Sequence, residues 1–322
     1  MDKVNLELKF VPENQVDSDF KSDMASVWQG DWYVDSEIGK LRKVLMRRPG
    51  AEIENLKGDP SELSLCGALD PPAIRAEFDE LVKLYRANGI EVFMMDDEDV
   101  PGDCPNIMFC RDLVNGSPNG AIISRMGIKV RSPEVRAAAI SLGKLGIPVA
   151  KTVNAAGTFE GACLIWIDRE TALLGKGTRS NEAGVRQIED ELRNQGVKNL
   201  IRADLPHNEI HLDGMLGIAD HKVVLLNTNI CPEHIYLAFK NRGFNIVEVP
   251  PEEADCAINF VALEPGKIVM RKGCVKTKAL LEAAGVECME VYVDSIRVAG
   301  GAIHCLTAPL ERDPVPVYGF AE

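Results

Sequence analysis

The feature that most constrains this chain is a strand, helix, strand unit that recurs five times between residues 41 and 293. In each unit a short apolar run precedes a helix-like stretch and a second apolar run. The first runs are 41–46, 121–124, 171–174, 222–226 and 267–270, the helix-like stretches are 72–88, 133–145, 181–194, 232–241 and 275–284, and the second runs are 90–94, 148–150, 197–201, 245–249 and 287–293. The repeat predicts an α/β protein.

Glycines mark the ends of the predicted helices. Gly89, Gly196, Gly243 and Gly285 each follow one helix-like stretch in the position of a C-terminal stop signal. The second helix is less clearly bounded, because glycines 143 and 146 lie on either side of its predicted end. The units therefore share a glycine near the end of the helix as well as the order of strand, helix and strand.

Two architectures fit an alternation of strands and helices. A doubly wound parallel sheet is one, but no GxGxxG follows a strand near the start of the chain. A closed ring is the other, and repetition of one unit favours it, because each unit then packs on its neighbours around a central pocket. No linker-like segment divides the chain. We therefore predict one domain over residues 31–322, with residues 1–30 as an N-terminal arm or lid.

Composition excludes several classes of partner. The chain has 322 residues and a net charge of -13, so nucleic acid and anionic membranes would be repelled, whereas a small cationic substrate would not. No apolar run is long enough to span a bilayer, and the start of the chain lacks a signal pattern, which predicts a cytoplasmic protein. The nine cysteines are an odd number and scattered, which favours reduced thiols over disulfides. The spacing of Cys104 and Cys110 does not predict a zinc site.

Cys305 is the first candidate for chemistry. It follows the small-residue stretch Ala299, Gly300, Gly301 and Ala302, which allows a substrate to approach the sulfur closely. Free cysteines are commonly buried and inert, so this feature alone is weak. The prediction that Cys305 is a nucleophile therefore depends on which residues the fold brings near it.

Polar residues interrupt the segments that join successive units. Asp112 ends one such segment, Glu160 lies in the next, and His211 and Asp213 lie in the one after that. If residues 210–213 are extended, the two last side chains point to the same face. Equivalent segments of a ring converge on its axis, so these carboxylates and the imidazole are expected near Cys305.

The motifs together resemble those of the pentein superfamily, the five-bladed α/β propellers that include arginine deiminases, agmatine deiminases and arginine-dependent amidinotransferases. The resemblance extends from about residue 36 to the C-terminus. Residues 106–112 are similar to the family's N-x-x-F-x-R-D, residues 159–161 to the start of F-E-G-G-D, residues 211–213 to H-x-D, and residues 300–307 to a glycine-rich H-C-x-T turn. The fold that this implies is a five-bladed pseudo-symmetric α/β propeller around a central pocket.

The resemblance also implies a role for each candidate residue. Cys305 is expected to be the nucleophile, His211 the acid and base, and Glu160 the partner of that histidine. Asp112 and Asp213 are expected to clamp the guanidinium group. Two carboxylates can hold its planar fork and direct the carbon toward the sulfur, giving a covalent S-amidino intermediate.

The remaining matches concern the rest of the substrate. By similarity to arginine deiminases, Asn106, Arg131 and Arg179 are expected to hold the α-carboxylate of an amino acid such as arginine. The alternative for both arginines is a solvated charge on a loop. Arg297, shortly before the nucleophile turn, is a further candidate. No metal or organic cofactor is implied, and the family suggests a homodimer or larger assembly.

Three departures from the family pattern stand out. Cys163 replaces the second acid of F-E-G-G-D, Ala302 and Ile303 replace glycines before His304 and Cys305, and no extra helical domain fits between the first two units. The prediction is a deiminase-type hydrolase of a guanidino compound, with arginine as the expected substrate. An amidinotransferase, in which an amine replaces water, is the alternative. A non-catalytic pentein that acts by binding is a third interpretation.

Overall fold

The computed structural model describes residues 19–54 and 56–320. Within these residues the strands form five three-stranded sheets of the same design. The strands are β1 (Leu41–Met46), β2 (Glu91–Met94), β3 (Val114–Ser117), β4 (Gly120–Ile123), β5 (Val149–Thr152), β6 (Leu164–Asp168), β7 (Thr171–Lys176), β8 (Asn199–Asp204), β9 (Leu216–Asp220), β10 (Val223–Leu226), β11 (Asn245–Glu248), β12 (Val261–Glu264), β13 (Lys267–Arg271), β14 (Glu287–Val291) and β15 (Ala308–Arg312).

Each sheet has a parallel edge and an antiparallel edge. The strand orders are β15-β1-β2, β3-β4-β5, β6-β7-β8, β9-β10-β11 and β12-β13-β14. The central strand pairs in parallel with the strand that follows its helix, and antiparallel with the other edge strand. The predicted units are therefore confirmed as the central strand, the crossover helix and the parallel strand of each sheet. The sequence pattern did not predict the antiparallel strands.

The helices are α1 (Phe20–Ser26), α2 (Pro71–Ala87), α3 (Cys110–Leu113), α4 (Glu134–Lys144), α5 (Glu182–Asn194), α6 (Glu233–Lys240), α7 (Ala254–Ala257), α8 (Val275–Ala283), α9 (Asp294–Val298) and α10 (Ile303–Leu306). The five crossovers are α2, α4, α5, α6 and α8. In α2, Asp70 caps the first turn by accepting a hydrogen bond from the Ala73 amide at 3.1 Å. Its buried side chains recur at helical spacing, with Ile74, Phe78, Leu81 and Tyr85 facing the sheet.

A glycine with positive φ follows every crossover helix. These are Gly89, Gly146, Gly196, Gly243 and Gly285, with φ between 69° and 92°. A left-handed residue at this place lets the chain turn back toward the sheet, and glycine adopts it without a steric penalty. The structure thus identifies Gly146 as the stop signal of the second unit.

The two ends of the domain close the ring. The strand β15 from the C-terminal region pairs with β1, and Leu45 lies opposite Ala308. The buried guanidinium of Arg312 reinforces this closure, since its Nη1 donates to the carbonyl oxygens of Gly39 at 2.7 Å and Ala262 at 2.9 Å. This pairing makes the predicted five-bladed propeller a closed ring rather than an open sheet.

The predicted arm is only partly described. Residues 1–18 lie outside the described residues, and residues 19–30 include α1, from which Met24 packs into the same core cluster as Trp32. Lys21, Met24 and Ala25 line a surface groove, and none of residues 19–30 lines the cavity at the centre of the ring. Among the described helices, none has the length and apolar character needed to cross a bilayer. The nine cysteines are all free.

Candidate active site

Five equivalent turns meet at one end of the ring. Each turn comes just before the antiparallel edge strand of a sheet, and each contributes a polar side chain. The contributions are Asp112 before β3, Glu160 before β6, His211 and Asp213 before β9, Asn259 before β12 and Cys305 before β15. All of them except Glu160 line a cavity of about 500 Å³. Pseudo-symmetry of the fold therefore assembles a site from residues that are far apart in the chain.

The structure brings all nine of the predicted site residues to this cavity. Eight of them line it, namely Asn106, Asp112, Arg131, Arg179, His211, Asp213, Arg297 and Cys305. The ninth, Glu160, is fully buried behind the wall and contacts His211. The roles assigned to these residues remain predictions, while their proximity is a property of the fold.

Cys305 lies at the end of the small-residue turn, in the short helix α10. Its side chain is buried to all but 7% yet lines the cavity. Its Sγ lies 3.4 Å from Oδ2 of Asp213 and 3.2 Å from Nδ2 of Asn259. Burial, together with the carboxylates of Asp213 and Asp112, holds the pKa of the thiol well above its ordinary value. The free site thus favours the neutral thiol.

The two glycines of this turn are required for different reasons. Gly300 adopts a φ of +96°, which side-chain-bearing residues rarely adopt. Gly301 packs against the ring of Phe109, and a Cβ at this position would lie 2.5 Å from that ring. Ala302 has an extended backbone that any residue adopts. The departure from the family's glycines at Ala302 is therefore accommodated without a special conformation.

His211 is held between two carboxylates. Its Nε2 lies 2.8 Å from Oε2 of Glu160, and its Nδ1 lies 3.6 Å from Oδ1 of Asp112. Burial disfavours the imidazolium, but Asp112, Glu160 and Asp213 outweigh this effect and raise the pKa of His211. The pKa of Glu160 is lowered to about 2, because His211 and nearby arginines offset the effect of burial. The pair therefore favours a protonated imidazole beside a carboxylate.

The segment containing His211 and Asp213 is not extended throughout. His211 has an extended backbone, but residues 212–214 form a turn of 3₁₀ helix. The two side chains consequently do not share a strand face as the sequence suggested. His211 reaches Glu160 and Asp112, whereas Asp213 reaches Cys305 and His304. The tight turn, rather than strand alternation, places both in the cavity.

The two arginines predicted to bind a carboxylate are already paired with acids. Arg131 donates from Nη1 to Asp112 at 2.5 Å and from Nε to Glu134 at 2.9 Å. Arg179 contacts Glu160 at 3.3 Å and donates to the Ser64 hydroxyl at 3.0 Å. Neither is a solvated loop charge, since both are buried. Each therefore positions an acid of the site, whatever further contact it makes with a substrate.

Asn106 and Arg297 also line the cavity. Asn106 donates from Nδ2 to the carbonyl of Leu63 at 2.6 Å, in the loop that also contributes Ser64 and Cys66 to the wall. Arg297 is partly exposed and pairs with Asp255 at 3.0 Å. This loop, between β1 and α2, gave no functional signal in the sequence.

Sequence reasoning missed a buried network behind the nucleophile. His304 places Nδ1 2.9 Å from Oδ2 of Asp213 and Nε2 3.4 Å from Oε2 of Glu37. Arg111 donates to the other oxygen of Glu37 at 2.8 Å. Burial and Arg111 oppose protonation of His304, but its two carboxylate partners prevail and raise its pKa. The network fixes the carboxylate of Asp213 toward Cys305.

Asn259 is the other residue that the sequence analysis missed. A signal for it existed, because Asn259 lies just before the apolar strand β12, as Asp112, Glu160 and His211 lie in the turns just before theirs. Since the antiparallel strands themselves were not predicted, this equivalence was not visible. Glu37, by contrast, lies in an irregular segment before the first repeated unit, so no equivalent position pointed to it.

Cys163 does not occupy the cavity. It is fully buried, and its Sγ donates to the carbonyl of Ile210 at 3.6 Å. Burial raises the pKa of this thiol. In this chain the position of Cys163 therefore contributes no group to the cavity lining. Among the described residues, ligand atoms of Asp112, Glu160 and His211 lie within 4.8 Å of one another and are the cluster best placed to hold a metal ion.

The fold and the site together define a class. A closed ring of five such sheets, with a cysteine, a histidine and carboxylates around its central cavity, together with a family model that matches most of the chain, places this chain in the pentein superfamily of guanidino-group-modifying enzymes. The family model described as N,N dimethylarginine dimethylhydrolase, eukaryotic, matches residues 71–312. The chain belongs to this family.

Individual relatives cover most of the chain at modest identity. An N(G),N(G)-dimethylarginine dimethylaminohydrolase of Streptomyces coelicolor is 26% identical over 272 residues, which cover 84% of this chain and 98% of the relative. A 2-nitroimidazole nitrohydrolase of a Mycobacterium species, strain JS330, is 24% identical over 343 residues, which cover 93% of this chain and 87% of the relative. The structure of an amidinotransferase of the saxitoxin pathway from Microseira wollei has a TM-score of 0.74 at 16% sequence identity. The match covers 90% of this chain and 100% of the amidinotransferase.

Proposed function

We propose that this protein hydrolyses the guanidino group of arginine or of an Nω-methylated arginine, with Cys305 as the covalent nucleophile. The observation that carries the proposal is the convergence of Cys305, Asp213, Asp112 and His211 on one cavity. Membership of a family described by dimethylarginine hydrolysis supports this substrate class. A thiol, two carboxylates and an imidazole are the groups that displacement at a guanidinium carbon requires.

Binding of the guanidinium is the first step. The planar cation lies between Asp112 and Asp213, which accept hydrogen bonds from its N–H groups. Asp213 lies 3.4 Å from the sulfur, so a guanidinium bound to it holds its carbon close to Cys305. The cation also neutralises the carboxylates that hold the thiol pKa high, and this makes the thiolate accessible.

Two displacements follow. The thiol releases its proton to solvent when the guanidinium binds, and the resulting thiolate forms a bond to the guanidinium carbon. The bond from this carbon to the terminal nitrogen breaks, and ammonia, methylamine or dimethylamine leaves with a proton from His211. The covalent intermediate is then attacked by water, which gives a proton to the now neutral His211. The carbon–sulfur bond breaks, citrulline is released, and the thiolate is regenerated. Glu160 supports both steps, because its carboxylate at 2.8 Å holds the imidazole in place and stabilises its protonated form.

The amino-acid end of the substrate is assigned to the amide and guanidinium groups of the cavity wall. Asn106, Arg131, Arg179 and Arg297 bring amide and guanidinium groups to the cavity wall. Arg297 has the most accessible of the three guanidinium groups, because only its contact with the exposed Asp255 occupies it. We therefore assign the α-carboxylate to the part of the cavity wall that Arg297 lines.

The test is a product assay with purified protein and a panel of guanidines. Arginine, Nω-methylarginine and Nω,Nω-dimethylarginine are each incubated with wild type and with Cys305→Ala, and the products are identified by mass spectrometry. Citrulline formed only by the wild type supports the proposal, and the relative kcat/KM values identify the preferred substrate.

The same assay separates the alternatives. Formation of ornithine that requires an added amine such as glycine would identify an amidinotransferase instead of a hydrolase. Absence of any product and of any adduct at Cys305 across the panel would contradict the proposal and favour a protein that acts by binding.

A further inference from the structure

We propose that Asn259 is a further catalytic residue, whose side-chain amide donates a hydrogen bond to the nucleophilic sulfur and separates it from the neighbouring carboxylate. The proposal rests on the assignment of Cys305 as the nucleophile. It adds to the proposed function a residue from the fourth of the five turns along the chain, the turn that leads into β12.

The side-chain nitrogen of Asn259 has two hydrogen-bond acceptors. Its Nδ2 lies 3.2 Å from Sγ of Cys305 and 3.1 Å from Oδ2 of Asp213. An amide nitrogen carries two hydrogens, so one can point to each acceptor. Asn259 thereby forms a fork that holds the sulfur and the carboxylate at the same time.

The other end of the amide fixes this orientation. The backbone N–H of His304 donates to Oδ1 of Asn259 at 2.9 Å. A flipped amide would direct two N–H groups at a backbone N–H donor and present an oxygen to a carboxylate, so the flipped form is disfavoured. Because His304 precedes Cys305 directly, the contact also ties Asn259 to the nucleophile turn.

Charge explains why a neutral donor is needed here. The acids that act on the Cys305 thiol are Asp213 and Asp112, and the imidazoles of His304 and His211 lie beyond these carboxylates. A thiolate next to Asp213 places two anions 3.4 Å apart. Asn259 donates to both without adding a charge, so it favours the thiolate over the thiol while leaving the guanidinium site acidic.

The experiment titrates the thiol without any substrate. Alkylation of Cys305 by iodoacetamide is followed across pH by peptide mass spectrometry, which separates it from the other eight cysteines. Asn259→Ala removes the donor, and loss of a hydrogen bond to a charged sulfur is expected to raise the thiol pKa by about one unit. Asn259→Asp replaces the donor by a third carboxylate and is expected to raise it further.

Controls separate this role from a structural one. Asn245→Asp makes the same chemical change at an exposed position of β11 and is expected to leave the thiol pKa unchanged. If Asn259→Ala fails to fold, Asn259→Ser gives the same test, because the shorter hydroxyl cannot fork between sulfur and carboxylate. Circular dichroism identifies the folded variants.

The outcome does not depend on turnover. A raised thiol pKa in Asn259→Ala or Asn259→Ser, with folding retained, supports the proposal even if no guanidine is hydrolysed. An unchanged or lowered thiol pKa in the folded variant would overturn it, even if the wild type proves to be an active hydrolase.

Discussion

The Sγ atom of Cys305 lies 3.4 Å from Oδ2 of Asp213, so the candidate nucleophile stands beside a carboxylate that opposes its ionisation. A catalytic thiol is normally activated by a nearby cation. In the proposed reaction the substrate is that cation, because its guanidinium group binds to the same carboxylate. The site would then be reactive mainly when it is occupied.

Replacing Asp213 with asparagine tests this relationship. Asp213→Asn removes the adjacent negative charge, and we expect the thiol pKa in the free protein to fall by about one unit or more. The same change weakens guanidinium binding, so KM should rise by at least about tenfold. The thiolate absorbance and steady-state kinetics measure the two effects. A thiol pKa that stays constant or rises would show that Asp213 does not control the sulfur.

The pH dependence of kcat/KM reports the two titrating groups of the proposed mechanism. The reactive form contains a thiolate and a protonated imidazole. Because the free site favours the neutral thiol, with its pKa well above the ordinary value, this ion pair is the minor tautomer of the pair after loss of one proton. The value of kcat/KM therefore falls below the pKa of His211 on the acid side and above the pKa of Cys305 on the alkaline side. Both pKa values are raised. We therefore expect a bell-shaped profile with its optimum above neutral pH.

Glu160→Gln should move only one limb of this profile. Loss of the carboxylate that stabilises the imidazolium lowers the pKa of His211, so the acid limb shifts to lower pH by about one unit. Glu80→Gln, an exposed position on α2, serves as the matched control. An acid limb that remains in place, or moves to higher pH, would contradict the assignment of His211.

The two cysteines of the motif regions should behave differently. Cys305→Ser is expected to reduce kcat/KM by at least about 10³-fold, because the alcohol is not activated in this site. Cys163→Ser should retain activity within a few-fold, since Cys163 is buried outside the cavity. Kinetics of both variants, with circular dichroism as the folding control, provide the comparison. A similar loss in Cys163→Ser would place that thiol in the chemistry.

The buried pair of Glu37 and Arg111 is expected to stabilise the fold behind the site. Glu37→Gln leaves the guanidinium of Arg111 without its charged partner and should lower the free energy of unfolding by about 3–5 kcal/mol. Replacing both residues, with Glu37→Gln and Arg111→Met, should restore part of the loss. Urea unfolding of the single and double variants measures these effects, and an unaltered single variant would contradict the expectation.

The same pair predicts a pH dependence of stability. Despite its burial, the pKa of Glu37 is lowered by Arg111, His304 and Arg312. A depressed folded pKa contributes stability that is complete above the unfolded pKa of about 4.3 and is lost as the pH falls below it. The wild type should therefore lose more stability on acidification than Glu37→Gln does.

Local patterns predicted the parts of the fold that depend on local sequence. The central strands, crossover helices and parallel strands followed from apolar runs and helix stops such as Gly89 and Gly285. The antiparallel strands did not; β3, for example, has no apolar run, because it contains Asn115 and Gly116. The pairing of β15 with β1 joins distant segments, so no local signal could reveal it.

The residues of the site also divide into those that the sequence predicted and those that only the fold revealed. Residues with distinctive chemistry, such as Cys305, His211 and Glu160, could be proposed from their types and from the resemblance. Asn259 carries no charge, and Glu37 lies in an irregular segment, so neither was identified until the fold placed it beside the site. Interactions between Arg131 and Asp112 also depend on the folded geometry.

The central claim is that Cys305 forms a covalent bond to the carbon of a guanidinium group. Intact-protein mass spectrometry of an acid-quenched reaction tests it most directly, with peptide mapping to locate the modification. We predict an adduct at Cys305 that retains the carbon chain of the amino acid and is absent from Cys305→Ala. An adduct with the amidino group alone would indicate transfer chemistry. Citrulline produced without any adduct at Cys305, and produced equally by Cys305→Ala, would contradict the account.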